Sequence, residues 1–194
     1  MMKLSQDLIL TPKGMSSFEG IVLDVDNTLI YAVEEEDESE IKEYPLLEHH
    51  HISIMKRRGD VTGINIYLRP NVREFLSILC SQYKVGIWSL GQPEYVSAIA
   101  EVLDVGTQTF NVKATNKCHF IYNWTHAYRQ EYKIFKPLRL SPFKNIKTLI
   151  IEDNISVCEA GDPYIIVPSF EGESNDTILK GLLHSMCKVQ CIPI

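Results

Sequence analysis

Two aspartates stand two residues apart in Asp24-Val25-Asp26-Asn27-Thr28-Leu29, directly after the apolar run Gly20-Ile21-Val22-Leu23. A carboxylate in such a place can attack a phosphorus centre and carry the transferred group as an acyl phosphate. A second carboxyl group close by can protonate the leaving oxygen and later take a proton from water. Two carboxylates facing a phosphate would repel it, and a hard divalent cation removes that conflict. Mg²⁺ accepts one or two carboxylates together with water and substrate oxygens. Asp153 and Asn154 offer further oxygen ligands, Lys136 can neutralise phosphate charge, and Ser89 can donate a hydrogen bond to a phosphoryl oxygen. Taken singly, most of these residues read as turns, caps or surface groups. Taken together they suffice for phosphoryl transfer by positioning and electrostatics.

The elements that must position them are legible as short apolar runs. Residues 20–23, 85–88, 148–151 and 164–167 are β-branched, brief and followed by turn residues, the pattern of buried parallel strands. Pro70 and Pro93 open helices whose apolar positions, Val72, Phe75, Leu76 and Leu79, then Val96, Ile99, Ala100 and Leu103, recur at helical spacing. A short helix runs through Cys158 to Gly161, and a last one starts near Asn175 or Asp176 and buries Ile178, Leu179, Leu182 and Met186. Between them, residues 31–66 hold the acidic run 34–40 and two strands joined by a turn at Arg58-Gly59-Asp60. Residues 107–135 are irregular and aromatic-rich, a small insertion of short strands and loops. Alternating strands and helices predict an α/β fold, a mainly parallel sheet with helices on both faces. Ligands of such sheets bind beyond the carboxyl ends of the strands, where Asp24, Ser89 and Asp153 all fall.

The chain of 194 residues is 45% hydrophobic and 23% charged, which predicts one soluble domain over 1–194, with its core in 20–186. A net charge of −6 argues against a nucleic-acid-binding surface. No apolar run approaches a bilayer span, and no signal-peptide core is present, so no membrane partner is expected. Cys80, Cys118, Cys158, Cys187 and Cys191 are odd in number and scattered, which predicts free thiols in a reducing, intracellular setting, cytoplasmic or nuclear. The sequons at Asn123, Asn154 and Asn175 are then chance matches.

The pattern Asp24 to Ile30, DVDNTLI, resembles the signature of the haloacid-dehalogenase superfamily, and more narrowly its branch of RNA polymerase II C-terminal-domain phosphatases. Arg69-Pro70-Asn71-Val72-Arg73-Glu74-Phe75-Leu76 resembles that branch's helix entry, Trp88-Ser89-Leu90-Gly91 its hydroxyl-bearing strand end, Lys136-Pro137-Leu138 its lysine segment and Asp153-Asn154 its acidic pair. The resemblance spans residues 20–186. It implies a three-layer Rossmann-like fold with a small β-rich insertion, Asp24 as nucleophile and Asp26 as acid/base, with Thr28, Ser89 and Lys136 holding the phosphate. It also implies Mg²⁺ on Asp24, the Asp26 backbone carbonyl and Asn154, with Asp153 close by or through water. The substrate it implies is phosphoserine or phosphothreonine in a protein or peptide; a nucleotide or sugar phosphatase, or a silent phosphate-binding module, is the alternative. Two departures stand out. Gly91 replaces a second hydroxyl residue of the branch, and Glu152 adds a negative charge to which the motif assigns no role.

Overall fold

The strand Gly20–Leu23 is short and apolar at every position, so it can be buried on both faces only in the middle of a sheet. The computed structural model, which describes residues 3–4, 17–35, 46–55 and 59–186, puts it there. In chain order the strands and α-helices are β1 (Lys3–Leu4), β2 (Gly20–Leu23), β3 (Ile30–Glu34), β4 (His49–Met55), β5 (Val61–Leu68), α1 (Val72–Gln82), β6 (Lys84–Trp88) and α2 (Pro93–Val102). There follow β7 (Val105–Gly106), β8 (Asn116–Lys117), β9 (Phe120–Tyr122), β10 (Tyr128–Gln130), β11 (Lys133–Phe135), β12 (Thr148–Glu152), β13 (Tyr164–Ile166) and α3 (Ile178–Met186).

The central sheet has the order β1-β13-β12-β2-β6-β9 and is parallel except for β1. Side chains alternate across it. Ile21, Leu23, Val85, Ile87, Leu149 and Ile151 join one core with Phe75, Leu76 and Leu79 of α1, Val96 and Ile99 of α2, and Leu179 and Leu182 of α3. Val22, Trp88, Phe120 and Ile150 face the other way, onto Leu138, Phe143 and Cys158. The fold is α/β; among the described residues three α-helices share one face, and 3₁₀ turns at Leu138–Leu140 and Ile155–Val157 lie with loops over the other. The helix through Cys158 that the sequence predicts is one of these 3₁₀ turns. Pro93 does start α2, whereas Pro70 lies ahead of α1, whose N-cap is Asn71 in the left-handed region at φ 68°.

The segment 31–66 is richer in strand than its composition announces. Ile30–Glu34 is a third strand, so the expected pair becomes a three-stranded antiparallel sheet of order β3-β5-β4. Residues 36–45 and 56–58, with most of the acidic run and Arg58, lie outside the described residues, as do Cys187 and Cys191. The insertion at 107–135 contributes β9 to the central sheet, parallel to β6, and the hairpin β10–β11 that leads to Lys136. Cys80, Cys118 and Cys158 are free thiols. No helix among the described residues is long and apolar enough to cross a membrane.

Gly86 shows how tightly the β6–β9 pair closes. A Cβ there would stand 2.2 Å from the Phe120 ring, which is itself packed edge-on against Phe143. Gly86→Ala is expected to cost about 1–3 kcal/mol by overpacking. The check is the urea midpoint at unchanged m-value; an unshifted midpoint would mean that Phe120 swings aside freely.

Candidate active site

The order of the sheet reverses at β2: β6 and β9 lie on one side of it, β12 and β13 on the other. Loops leaving such a switch point diverge and open a crevice. Asp24 follows β2, Ser89 follows β6, and Glu152 ends β12 with Asp153 next. The Asp24 amide still donates to Ile151 O at 3.0 Å, so the nucleophile candidate sits on the last rung of the ladder rather than on a free loop.

The chain then turns sharply. Leu29 N bonds to Val25 O at 2.8 Å and Asn27 N to Ile30 O at 2.7 Å, with Asn27 left-handed at φ 59°. Asn tolerates that conformation better than most residues. Its Nδ2 donates to Phe170 O at 3.1 Å, and Phe170 N donates to Asn27 O at 2.7 Å, which clamps the turn from the far end of the chain. Arg69 supports it from beneath. Its guanidinium is fully buried, pairs with both oxygens of Asp176 at 2.8 and 3.1 Å, and donates to Thr28 O at 3.0 Å and Pro168 O at 2.9 Å. Asp176 also caps α3 by accepting from Ile178 N at 2.9 Å. The sequence offers Arg69 only as a helix entry and Asp176 only as a cap; their pairing across 107 positions has no local signal.

Asp24 is buried, not solvent-facing. Lys136 Nζ donates to its Oδ1 and to Glu152 Oε2, the latter at 2.7 Å, while among the described residues Asp24 Oδ2 and the Thr28 hydroxyl lie outside hydrogen-bonding geometry with any group, though Thr28 is near enough to favour the ionised Asp24 carboxyl. Burial pushes the Asp24 carboxyl above its ordinary range; Lys136 opposes this and Asp26 adds to it. Burial pushes Glu152 up to about 8, with the Asp24 charge adding and Lys136 subtracting. For Lys136, burial works against the ammonium, but the two carboxylates outweigh it and hold the group above an ordinary lysine. It stays charged.

Asp26 is held at both oxygens. Ser89 Oγ donates to Oδ2 at 2.9 Å and the Tyr95 hydroxyl donates to Oδ1. Burial first, and the Asp26 charge second, push the Tyr95 phenol up, so it remains a donor. Ser89 also accepts from Gly91 N at 2.9 Å, so its one hydroxyl hydrogen is given to Asp26.

Oxygens of Asp24, Glu152 and Asp153 lie within 4.8 Å of one another. Asn154 Oδ1 accepts from Ser156 N at 3.0 Å and Ser156 Oγ at 2.7 Å, capping the turn at 155–157. The amide is used where an N-cap is needed, and Glu152, unassigned in the sequence, takes a place in the cluster. Asp153 Oδ2 accepts from Ser169 Oγ at 3.1 Å. Three carboxyl groups converge, all the donors are hard oxygens, and Asp24 Oδ2 is a buried acceptor with no hydrogen-bond partner among the described residues. That set fits Mg²⁺.

Comparison with solved structures finds Fcp1, described as an essential RNA polymerase II CTD phosphatase. It has 16% identity and a TM-score of 0.62, over 90% of this chain and 50% of that one. A variant of the fission yeast RNA polymerase II CTD phosphatase Fcp1, bound to beryllium fluoride, has 17% identity and a TM-score of 0.57, over 90% and 52%. The chain thus spans about half the length of each, and at these identities the likeness speaks for the fold alone: a mostly parallel haloacid-dehalogenase-type sheet with helices. No curated protein sequence matches the chain. The family model described as NLI interacting factor-like phosphatase matches residues 20–191, almost everything from β2 onward, and with that match the chain belongs to the NLI interacting factor-like phosphatase family.

Proposed function

We propose that this phosphatase hydrolyses phosphoserine or phosphothreonine in proteins through a covalent phosphate on Asp24, with Mg²⁺ as cofactor. One observation carries the reading. Lys136 occupies Asp24 Oδ1 and leaves Oδ2, buried and unpartnered, as the atom free to attack. In the first step Oδ2 bonds to phosphorus while the bond to the leaving oxygen breaks, and Asp26 gives that oxygen its proton. In the second, the Asp26 carboxylate takes a proton from water, whose oxygen attacks phosphorus, releasing inorganic phosphate and regenerating Asp24. Lys136 keeps one Asp24 oxygen fixed throughout and, with a third N–H to spare, can meet a phosphoryl oxygen. Ser89 reaches the phosphate only by releasing Asp26, and the Thr28 hydroxyl, buried beside Asp24, is available as a donor.

Asp24, Asp153 and the Asp26 backbone carbonyl would hold Mg²⁺, with Glu152 close behind. When bound, the ion supplies positive charge that lets these carboxylates ionise together and lets a phosphate approach them. The protein substrate rests on family membership and on the names of the similar structures. An intracellular setting, cytoplasmic or nuclear, fits the free thiols.

Two measurements test the reading. EDTA is expected to remove turnover and Mg²⁺ to restore it; turnover unaffected by EDTA would reject the cation. In a panel of phosphopeptides and metabolite phosphates, kcat/KM should favour phosphopeptides. A preference for nucleotide or sugar phosphates would move the function to small molecules, and no turnover of anything would leave a binding module.

A further inference from the structure

The Asp26 carboxylate is approached from two elements. Ser89, at the end of β6, donates to Oδ2 at 2.9 Å, and Tyr95, in the first turn of α2, donates to Oδ1. Tyr95 is itself almost wholly buried, and its ring lies against Gly91. A Cβ at residue 91 would stand 2.5 Å from Tyr95 Cδ1, 3.0 Å from Cε1 and 3.1 Å from Ser89 Oγ. Any larger residue there must displace the ring, the hydroxyl or both. The Gly91 backbone is fixed, because its amide donates to Ser89 Oγ at 2.9 Å and its carbonyl accepts from Trp124 N at 3.2 Å. The neighbouring Gln92 side chain accepts from Trp124 Nε1 at 3.0 Å, which ties the start of α2 to the 3₁₀ turn Trp124–His126 that follows β9. The absence of a side chain at Gly91 is thus the space that the Tyr95 ring fills.

We propose that Tyr95 is a positioning residue for phosphoryl transfer, which orients Asp26 by holding Oδ1, so that Oδ2, released when Ser89 turns to the phosphate, carries the transferred proton, with Gly91 as the void that admits the ring. This rests on Asp26 being the proton donor to the leaving oxygen. Chain geometry gives the reason for such a device. Asp26 lies in a turn two residues beyond the sheet, and once Ser89 turns to the phosphate, Tyr95 is the side-chain partner that still fixes its carboxylate. A carboxyl group fixed at one oxygen presents the other in one direction, and a proton transfer is effective only within hydrogen-bond reach of its target. A phenol that donates to Oδ1 also stabilises the anion left once the proton has gone. Tyr95 neither gains nor loses a proton in the step.

The experiment compares wild type with Tyr95→Phe, Gly91→Ala and Asp26→Asn on a series of phosphate monoesters. The series runs from nitrophenyl phosphate, whose leaving group departs without a proton, through phenyl phosphate to a phosphoserine peptide. Loss of one hydrogen bond to a charged group predicts that Tyr95→Phe lowers kcat roughly ten- to a hundredfold on the poor leaving groups. It should change nitrophenyl phosphate turnover less than about threefold and leave KM unaltered. Gly91→Ala should give the same tilt by moving the ring, which keeps the test open if Tyr95→Phe folds poorly. A structural role for Tyr95 would lower all substrates alike. Should Asp26→Asn tilt the series while Tyr95→Phe and Gly91→Ala do not, Tyr95 has no positioning role and the assignment of Asp26 stands. Faster turnover of poor leaving groups by Tyr95→Phe would show a restraint, and overturn the proposal. A flat series for Asp26→Asn removes the acid itself and the proposal with it.

Discussion

Asp24→Asn is expected to lower kcat by about 10⁴-fold or more, the scale seen when a nucleophile is removed from an otherwise intact site. The amide keeps the shape of the carboxylate but cannot form a bond to phosphorus and survive as a leaving group. By sequence Asp24 falls at the carboxyl end of a strand, a sheet rim where a change of charge touches folding little. The structure gives a different reason for the same outcome. Asp24 is buried beside Lys136, Glu152 and Asp153, and shares the Lys136 ammonium with Glu152. Neutralising Asp24 relieves repulsion while Lys136 keeps Glu152 at 2.7 Å. Stability should therefore change by no more than about 1 kcal/mol, the two effects offsetting each other. Activity against a phosphopeptide and thermal unfolding, measured on the same preparation, check both parts. Near-normal turnover would refute the assignment of Asp24 as nucleophile. A collapse of the fold would instead show that its charge is required to hold Lys136.

Arg69→Met should have the opposite signature, a large loss of stability from a residue that touches no substrate. The guanidinium has no exposed surface, meets both oxygens of Asp176, donates to the carbonyls of Thr28 and Pro168, and lies over the Phe170 ring at 5.3 Å. Methionine fills much of the volume but leaves the part-buried Asp176 without its cation and two carbonyls without donors. Breaking one side of a buried pair costs about 3–5 kcal/mol. For a chain of this length that lowers Tm by roughly 6–20 °C. Because Thr28 O is among the lost partners, the turn carrying Asp24 and Asp26 loosens too, and kcat should fall below wild type at temperatures where the variant is still folded. A Tm within 2 °C of wild type, a limit set from the same scale, would mean that water replaces the guanidinium without penalty. Asp176→Asn in combination tells the pair from its surroundings, since a coupled pair gives a double mutant less destabilised than the sum of the two single changes.

The residues proposed to carry the chemistry are open to sequence reading because each is announced by local physics. Apolar runs of four or five residues can only be buried strands, so the polar residue after each marks the carboxyl edge of a parallel sheet, where ligands bind. Asp24, Asp26, Ser89 and Asp153 were found in that way, and DVDNTLI is distinctive enough to point to the family that the match over residues 20–191 then showed. The α-helices follow from their 3.6-residue apolar spacing.

What only the tertiary structure decided are the partnerships, which join residues with no periodic relation. Arg69 meets Asp176, Lys136 meets Asp24, and Tyr95 meets Asp26 because a crossover connection returns distant segments to one end of the sheet. One-residue register is equally out of reach of a sequence. Asp153-Asn154 reads as a ligand pair, and only the direction in which each side chain leaves β12 sends Glu152 to Lys136, Asp153 to the carboxylate cluster and Asn154 to cap the next turn. Short strands such as β3 and β9 escape for a related reason: their stabilisation comes from the neighbouring strand, Val61–Leu68 for the one and Lys84–Trp88 for the other. Local sequence thus sets which groups are present and at which edge, while the long-range fold sets which of them face each other, because facing depends on packing between segments that the chain itself keeps far apart.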